Sequence, residues 1–199
     1  FMSNPLLTFS DLPPFSQIKP EHIKPAVEQA IADCRAKVEA VLKESTHPTW
    51  ESIIAPMEET DDRLSRIWSP VGHMNSVVNS EALREAYESC LPILSEYGTW
   101  VGQHKGLYEA YKAIKASDEF ATLTRAQQKT ITDVEQRTEL IQTALAVLKN
   151  PAWSALFAPG SLAEAPIAAV VGENVISGTV DRLLITDDQI YVVDFKTGR

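Results

Sequence analysis

Two β-rich runs, Val175 to Ile185 and Ile190 to Lys196, meet at Thr186-Asp187-Asp188-Gln189 near the end of a chain whose earlier part carries helical periodicity. Such a pair reads as a hairpin with Asp187 and Asp188 as the loop residues. Thr186 then pairs with Gln189, and counting outward in antiparallel register puts Asp181 opposite Asp194. Side chains alternate between faces, so Asp181, Asp194 and Lys196 are expected on one face. Two carboxylates that close repel each other unless a cation lies between them, and oxygen ligands suit Mg²⁺ or Mn²⁺. Both faces of the hairpin are apolar: Leu183, Ile185, Ile190 and Val192 on one, Val180, Leu184, Val193 and Phe195 on the other. A sheet of this kind expects cover on both sides, and one missing cover predicts an apolar interface patch. Further strands are expected near 165–171 and 174–186, around a turn at Gly172-Glu173-Asn174, with the last near 189–197 and a short helix near Pro151–Phe157.

The earlier part reads as helices after a proline-punctuated extended arm over residues 1–19. Ile23, Val27, Ala30, Ile31, Cys34, Val38 and Val41 recur at helical spacing between Glu21 and Glu44, with Pro20 and Pro25 predicting a broken or late start. Thr49 is a cap for a second helix over 50–67, which Pro56 should kink or whose first part it should end. Ser80 caps a third, running to residue 97 and bent at Pro92; a fourth covers 98–116. Thr124 opens a fifth, whose stripe of Ile131, Val134, Leu140, Ile141, Leu145 and Leu148 leads to Asn150-Pro151. The fold class is therefore α+β: an N-terminal all-α helical bundle over residues 1–133, then a partial α/β sheet with a C-terminal β-hairpin over 134–199. No Gly/Ser-rich linker separates the two, so a continuous helix is expected to join them.

Net charge is −9, with 13 basic and 19 acidic residues in 1–133 and 5 and 8 in 134–199. Neither segment has the basic balance usual in a nucleic-acid binder. Cys34 and Cys90 read as reduced core residues of a cytoplasmic protein. No apolar run approaches the length of a membrane span, and the start lacks a signal-peptide pattern. His22, His47, His73 and His104 lack metal-ligand spacing and read as surface or packing residues. Trp50, Trp68, Trp100 and Trp153 sit in helical patterns and read as core or groove residues. Glu58-Glu59 and Asp61-Asp62 read as an exposed helical face.

Gly178-Thr179-Val180-Asp181-Arg182, Asp194-Phe195-Lys196-Thr197 and the preceding Pro159-Gly160-Ser161-Leu162-Ala163-Glu164-Ala165-Pro166 carry a resemblance. From Glu135 to Arg199 the chain resembles part of the PD-(D/E)XK nuclease domain of RecB-like and AddA-type helicase–nucleases. That resemblance implies Asp181 and Asp194 as ligands of Mg²⁺ or Mn²⁺, Lys196 as the residue that positions or activates water, Glu164 in support, and DNA as partner. The family's upstream histidine and the Gln-x-x-x-Tyr helix after the lysine have no counterpart in this chain, and no phosphate-binding loop is present.

A second set of motifs lies earlier: Asn4-Pro5-Leu6-Leu7, Leu12-Pro13-Pro14-Phe15, Ile18-Lys19-Pro20-Glu21-His22, Ser69-Pro70-Val71-Gly72-His73 and Tyr97-Gly98-Thr99-Trp100-Val101-Gly102-Gln103-His104. Residues 1–133 resemble the N-terminal helical region of zinc oligopeptidases of the thimet oligopeptidase family, of the oligopeptidase A type. In that family the region helps wall the substrate channel and packs on the catalytic domain, which implies a peptide or protein partner. The zinc motif H-E-x-x-H is absent from this chain, so no zinc site is expected. Together the resemblances imply a chimaera, whether natural fusion, engineered join or misassembled reading frame. The expected function is a partial metal-dependent DNA exonuclease core on a non-catalytic helical region. The alternative is a non-catalytic oligopeptidase fragment acting as a peptide-channel or interaction module, or a chimaera with no activity.

Overall fold

The computed structural model describes residues 4–8, 12–78 and 80–195. The chain forms two compact units, Phe1–Ile141 and Gln142–Arg199.

The first unit is helical. Helix α1 spans Pro20–Glu44. It starts at Pro20, where a missing N–H costs nothing, and runs through Pro25 unbroken. The expected late start is therefore not seen; Pro25 removes only the bond that Glu21 would have received. Thr49 opens the next segment as predicted: its Oγ1 accepts from Ser52 N at 3.0 Å, and Ser52 Oγ accepts from Thr49 N at 3.0 Å. A wide π-type turn over Trp50–Ile54 then leads into α2, Ala55–Val77. The turn ends just before Pro56, so the proline sits in the first turn of α2 and no kink is needed. Helix α2 continues past residue 67 and contains Pro70.

Helix α3 spans Glu81–Gln103, and Ser80 Oγ accepts from Leu83 N at 3.3 Å. Helix α4 spans Lys105–Lys115. The break between them falls at His104 and not at the expected 97–98, because Gly98 is held inside α3 while His104 caps α4. After a 3-10 turn at Asp118–Thr122 comes α5, Arg125–Leu148, with Thr124 Oγ1 accepting from Gln127 N at 3.3 Å. The division between the units falls within this helix.

Burial in the first unit forms two clusters. One gathers Ile23, Val27, Ile31, Ile67, Val71, Leu83 and Cys90 from α1, α2 and α3, with Leu6 and Ile18 of the N-terminal arm. The arm is pinned where Asn4 Nδ2 donates to His22 O at 2.8 Å, and it forms 3-10 turns at Pro5–Leu7 and Phe15–Gln17 where an extended chain was expected. The other gathers Val38, Trp50, Ile53, Ile54, Leu107, Tyr111, Ile114 and Ile131. Each fully buried side chain of this size contributes roughly 1.5–3 kcal/mol against exposure, so the clusters account for the helical packing. Trp100 and Val101 touch both clusters.

The second unit is a three-stranded antiparallel sheet in the order β1-β2-β3, with β1 Leu162–Val171, β2 Asn174–Ile185 and β3 Ile190–Val193. Gly172, at φ 65, makes the β1–β2 turn, a left-handed position that glycine occupies without strain. A 3-10 segment, Pro151–Phe157, stands where a short helix was expected. Leu156, Ala165 and Val180 form its small buried centre. The expected open face is present: Leu162, Ile185, Ile190 and Val192 are each more than half exposed. The overall class is thus a helical region followed by a small antiparallel sheet.

Candidate functional site

The hairpin register agrees with the count made from the turn. Thr186 N donates to Gln189 O at 2.8 Å. The pairs Ile185–Ile190, Leu184–Tyr191, Leu183–Val192 and Arg182–Val193 follow. The ladder ends there, one step short of Asp181 and Asp194. One oxygen of Asp181, Oδ2, accepts the Phe195 N–H at 2.6 Å, which fastens the chain beyond β3 to the carboxylate.

On the other side of β2, Ala163 pairs with Arg182 and Ala165 with Val180, so Glu164 and Asp181 fall at the one step that this ladder leaves unpaired. Glu164 has φ 48, the left-handed region, unlike any other described non-glycine residue. The three acidic residues therefore lie on neighbouring segments, where one ladder skips a pair and the other ends. Sequence reading gave Glu164 its supporting place but had no signal for its backbone conformation. Lys196 lies outside the described residues.

Asp181, Asp194 and Glu164 offer carboxylate oxygens, the chemistry that Mg²⁺ or Mn²⁺ takes, and no nitrogen or sulfur donor of the kind zinc prefers. Among the described residues no three histidine, cysteine or acidic groups are gathered closely enough to hold a metal. Arg182 stands 5.5 Å over the Phe157 ring, and Phe157 stacks on Phe195 at 6.2 Å. These rings, with Val147, Trp153, Leu156 and Val193, line an apolar hollow of about 260 Å³.

The helical unit presents different features. A cleft of about 520 Å³ runs along α1 and α2, floored by Ala30, Ala36, Ala40 and Ile67 and flanked by Asp33, Lys37, Glu59 and Arg63. A polar cluster not foreseen from the sequence surrounds Trp100. Arg35 lies 4.9 Å above its ring and 3.3 Å from Glu96, and His104 meets it edge-on at 4.9 Å. Its sequence trace is the four-residue spacing of Trp100, on α3, and His104, just past the end of that helix. Deeper in the unit, Tyr97 Oη donates to Asp61 Oδ1 at 3.0 Å, and Cys34 Sγ donates to Thr60 O at 3.4 Å. Burial, reinforced by the Asp61 charge, holds the Tyr97 phenol far above its ordinary range.

Residues 27–159 match the model of the Neurolysin/Thimet oligopeptidase N-terminal domain. The chain belongs to this family. Oligopeptidase A of Haemophilus influenzae is 58% identical over 157 residues, 79% of this chain and 23% of that protein. Oligopeptidase A of Escherichia coli is 55% identical over 139 residues, 70% of this chain and 20% of that protein. The organellar oligopeptidase A of Arabidopsis thaliana is 33% identical over 143 residues, 72% of this chain and 18% of that protein. The chain thus spans about a fifth to a quarter of the length of the oligopeptidases it matches. The oligopeptidase match begins in α1 and runs across residue 133, through α5 and the 3-10 segment, while strands β1 to β3 lie beyond it. No described helix is long and apolar enough to cross a membrane.

Proposed function

We propose that the helical part of this chain is the non-catalytic N-terminal module of a zinc oligopeptidase, acting as a peptide-channel wall and interaction surface. The observation that carries this reading is 58% identity with oligopeptidase A over 157 residues that make up only 23% of that protein. Zinc chemistry is not supplied by these residues: the chain has no H-E-x-x-H, and its four histidines are scattered through the helical sequence. The module brings a packed helical scaffold, an acidic balance and the α1–α2 cleft. Its partner on this reading is the catalytic remainder of such a peptidase, with peptides as the shared ligand.

Complementation tests the reading. The chain alone, with zinc added, should hydrolyse no oligopeptide. Mixed with an oligopeptidase A that lacks its own N-terminal region, it should restore cleavage and co-migrate with it on size exclusion. A folded chain that neither binds nor restores the truncated enzyme would overturn the proposal.

A second reading concerns the hairpin. We infer that Asp181 and Asp194 hold Mg²⁺ or Mn²⁺, that Glu164 supports them, and that Lys196 orients water or stabilises developing charge in phosphodiester hydrolysis. The Asp181 carboxylate bonded to the chain next to Asp194, at Phe195 N, supports this reading, with DNA as the substrate class. Bound there, the cation would supply Lewis-acid chemistry. Metal-dependent degradation of linear DNA, lost in Asp194→Ala, is the expected result. Absence of cleavage in a folded sample, or cleavage unchanged in Asp194→Ala, would remove it.

A further inference from the structure

Helix α4 begins on an imidazole. The backbone N–H of Leu107 donates to His104 Nδ1 at 3.3 Å, so Nδ1 carries no proton. The ring proton is then on Nε2, which stands 3.2 Å from Glu39 Oε1 of α1 and donates to it. Both ring nitrogens are therefore committed, one as acceptor and one as donor. The ring is also held edge-on to Trp100, and Gly106 leaves room for it: a Cβ at that position would stand 3.2 Å from His104 Cε1 and 3.1 Å from Leu42 Cδ1.

The charged groups around this ring are Glu39, and Arg35 with its partner Glu96 across Trp100. On α4 itself Lys105 is paired with Glu109.

We propose that His104 is a proton-operated cap: neutral, it closes the first turn of α4; protonated, it releases that turn. Protonation places a hydrogen on Nδ1, facing the Leu107 N–H, and two donors cannot bond. The Nε2–Glu39 contact survives protonation and gains a full ion pair. The two effects have opposite signs. The cap stabilises at higher pH and is lost as pH falls; the ion pair strengthens as pH falls. Acid therefore loosens the α4 entry locally while the ring stays tethered to α1. The turn that opens carries Leu107, a buried member of the second core cluster.

The start of α1 uses the reverse contact: the N–H of Lys19, its cap residue, donates to Nδ1 of His22 in the first turn at 3.1 Å. Helix α3 uses neither, because its cap is the hydroxyl of Ser80, which does not titrate in this range.

Amide hydrogen exchange by NMR on the whole chain tests the device, with Leu83 as internal control because Ser80 caps it. Between pH about 8 and about 5, after correction for intrinsic rates, Leu107 protection should fall about five-fold, the equivalent of one typical cap, while Leu83 holds. His104→Asn, a cap that does not titrate, should keep Leu107 protected at both ends of the range. Glu39→Gln leaves the His104 cap in place, so the Leu107 step should persist in it, which covers the case of a poorly folded His104→Asn. A Leu107 profile parallel to that of Leu83, or a step that persists in His104→Asn, would overturn the proposal.

Discussion

Lys115 Nζ of α4 lies 2.7 Å from Glu135 Oε2 of α5, and the Glu135 side chain is only 10% exposed. In the sequence Glu135 opened the segment assigned to the sheet-bearing half. In the folded chain it is a buried member of the helical unit, together with Thr138.

Removing one partner of that pair has a predictable cost. Lys115 is 35% exposed, so the pair lies between the surface and buried limits. Lys115→Met should destabilise the helical unit by about 2 kcal/mol, because Glu135 is left charged among apolar neighbours. The double variant Lys115→Met with Glu135→Leu should recover most of that loss. Chemical denaturation of the two variants measures both effects.

High pH should weaken the same unit through Tyr111. Burial, reinforced by Glu58 and Asp61, pushes its phenol from 10.0 up to about 12. The folded state thus keeps its proton where the unfolded chain has lost it. The stabilisation is fully present below the unfolded value and is lost as pH rises from about 10 to about 12. Thermal melts across that window should fall less steeply for Tyr111→Phe than for the parent chain.

The two thiols should be silent in the native protein. Cys34 is 1% exposed and Cys90 0%, and burial raises both thiol pKa values. Thiol reagents should label neither residue at a rate above that of local opening, and should label both in denaturant. Fast native labelling of either cysteine would contradict the packing of the first cluster.

The open face of the sheet predicts dye binding and self-association. Ile190 is 67% exposed and Ile185 62%, and the two face each other across the hairpin. Replacing both with threonine keeps β-branching while removing apolar surface. Binding of an apolar fluorescent dye should fall markedly in the double variant, with the far-ultraviolet dichroism unchanged.

Local chemistry was legible wherever neighbours in the chain decide the outcome. Thr49, Ser80 and Thr124 cap helices because a hydroxyl can reach an amide three residues on, whatever the rest of the protein does. The hairpin register followed from the turn at Asp187-Asp188, since pairing counts outward from a closed loop. The oligopeptidase motifs of α2 and α3 lie within the residues that match the family.

Pro20 and Pro25 misled for a physical reason. Both lie in α1, Pro20 at its first position and Pro25 inside it, because the packing of a long apolar face outweighs one lost backbone bond. The end of α3 was equally hidden. It depends on His104 finding Leu107 N on one side and Glu39 on the other, and Glu39 is remote in sequence.

What the sequence determined by itself is the helical class of the first part, the caps, and the antiparallel turn that sets the β2–β3 register. What only the tertiary structure decided is which polar groups meet in partly buried places. Glu135 with Lys115 and Tyr97 with Asp61 are examples. Periodicity and capping are short-range properties written in adjacent residues, whereas desolvation and charge pairing arise only when distant segments meet.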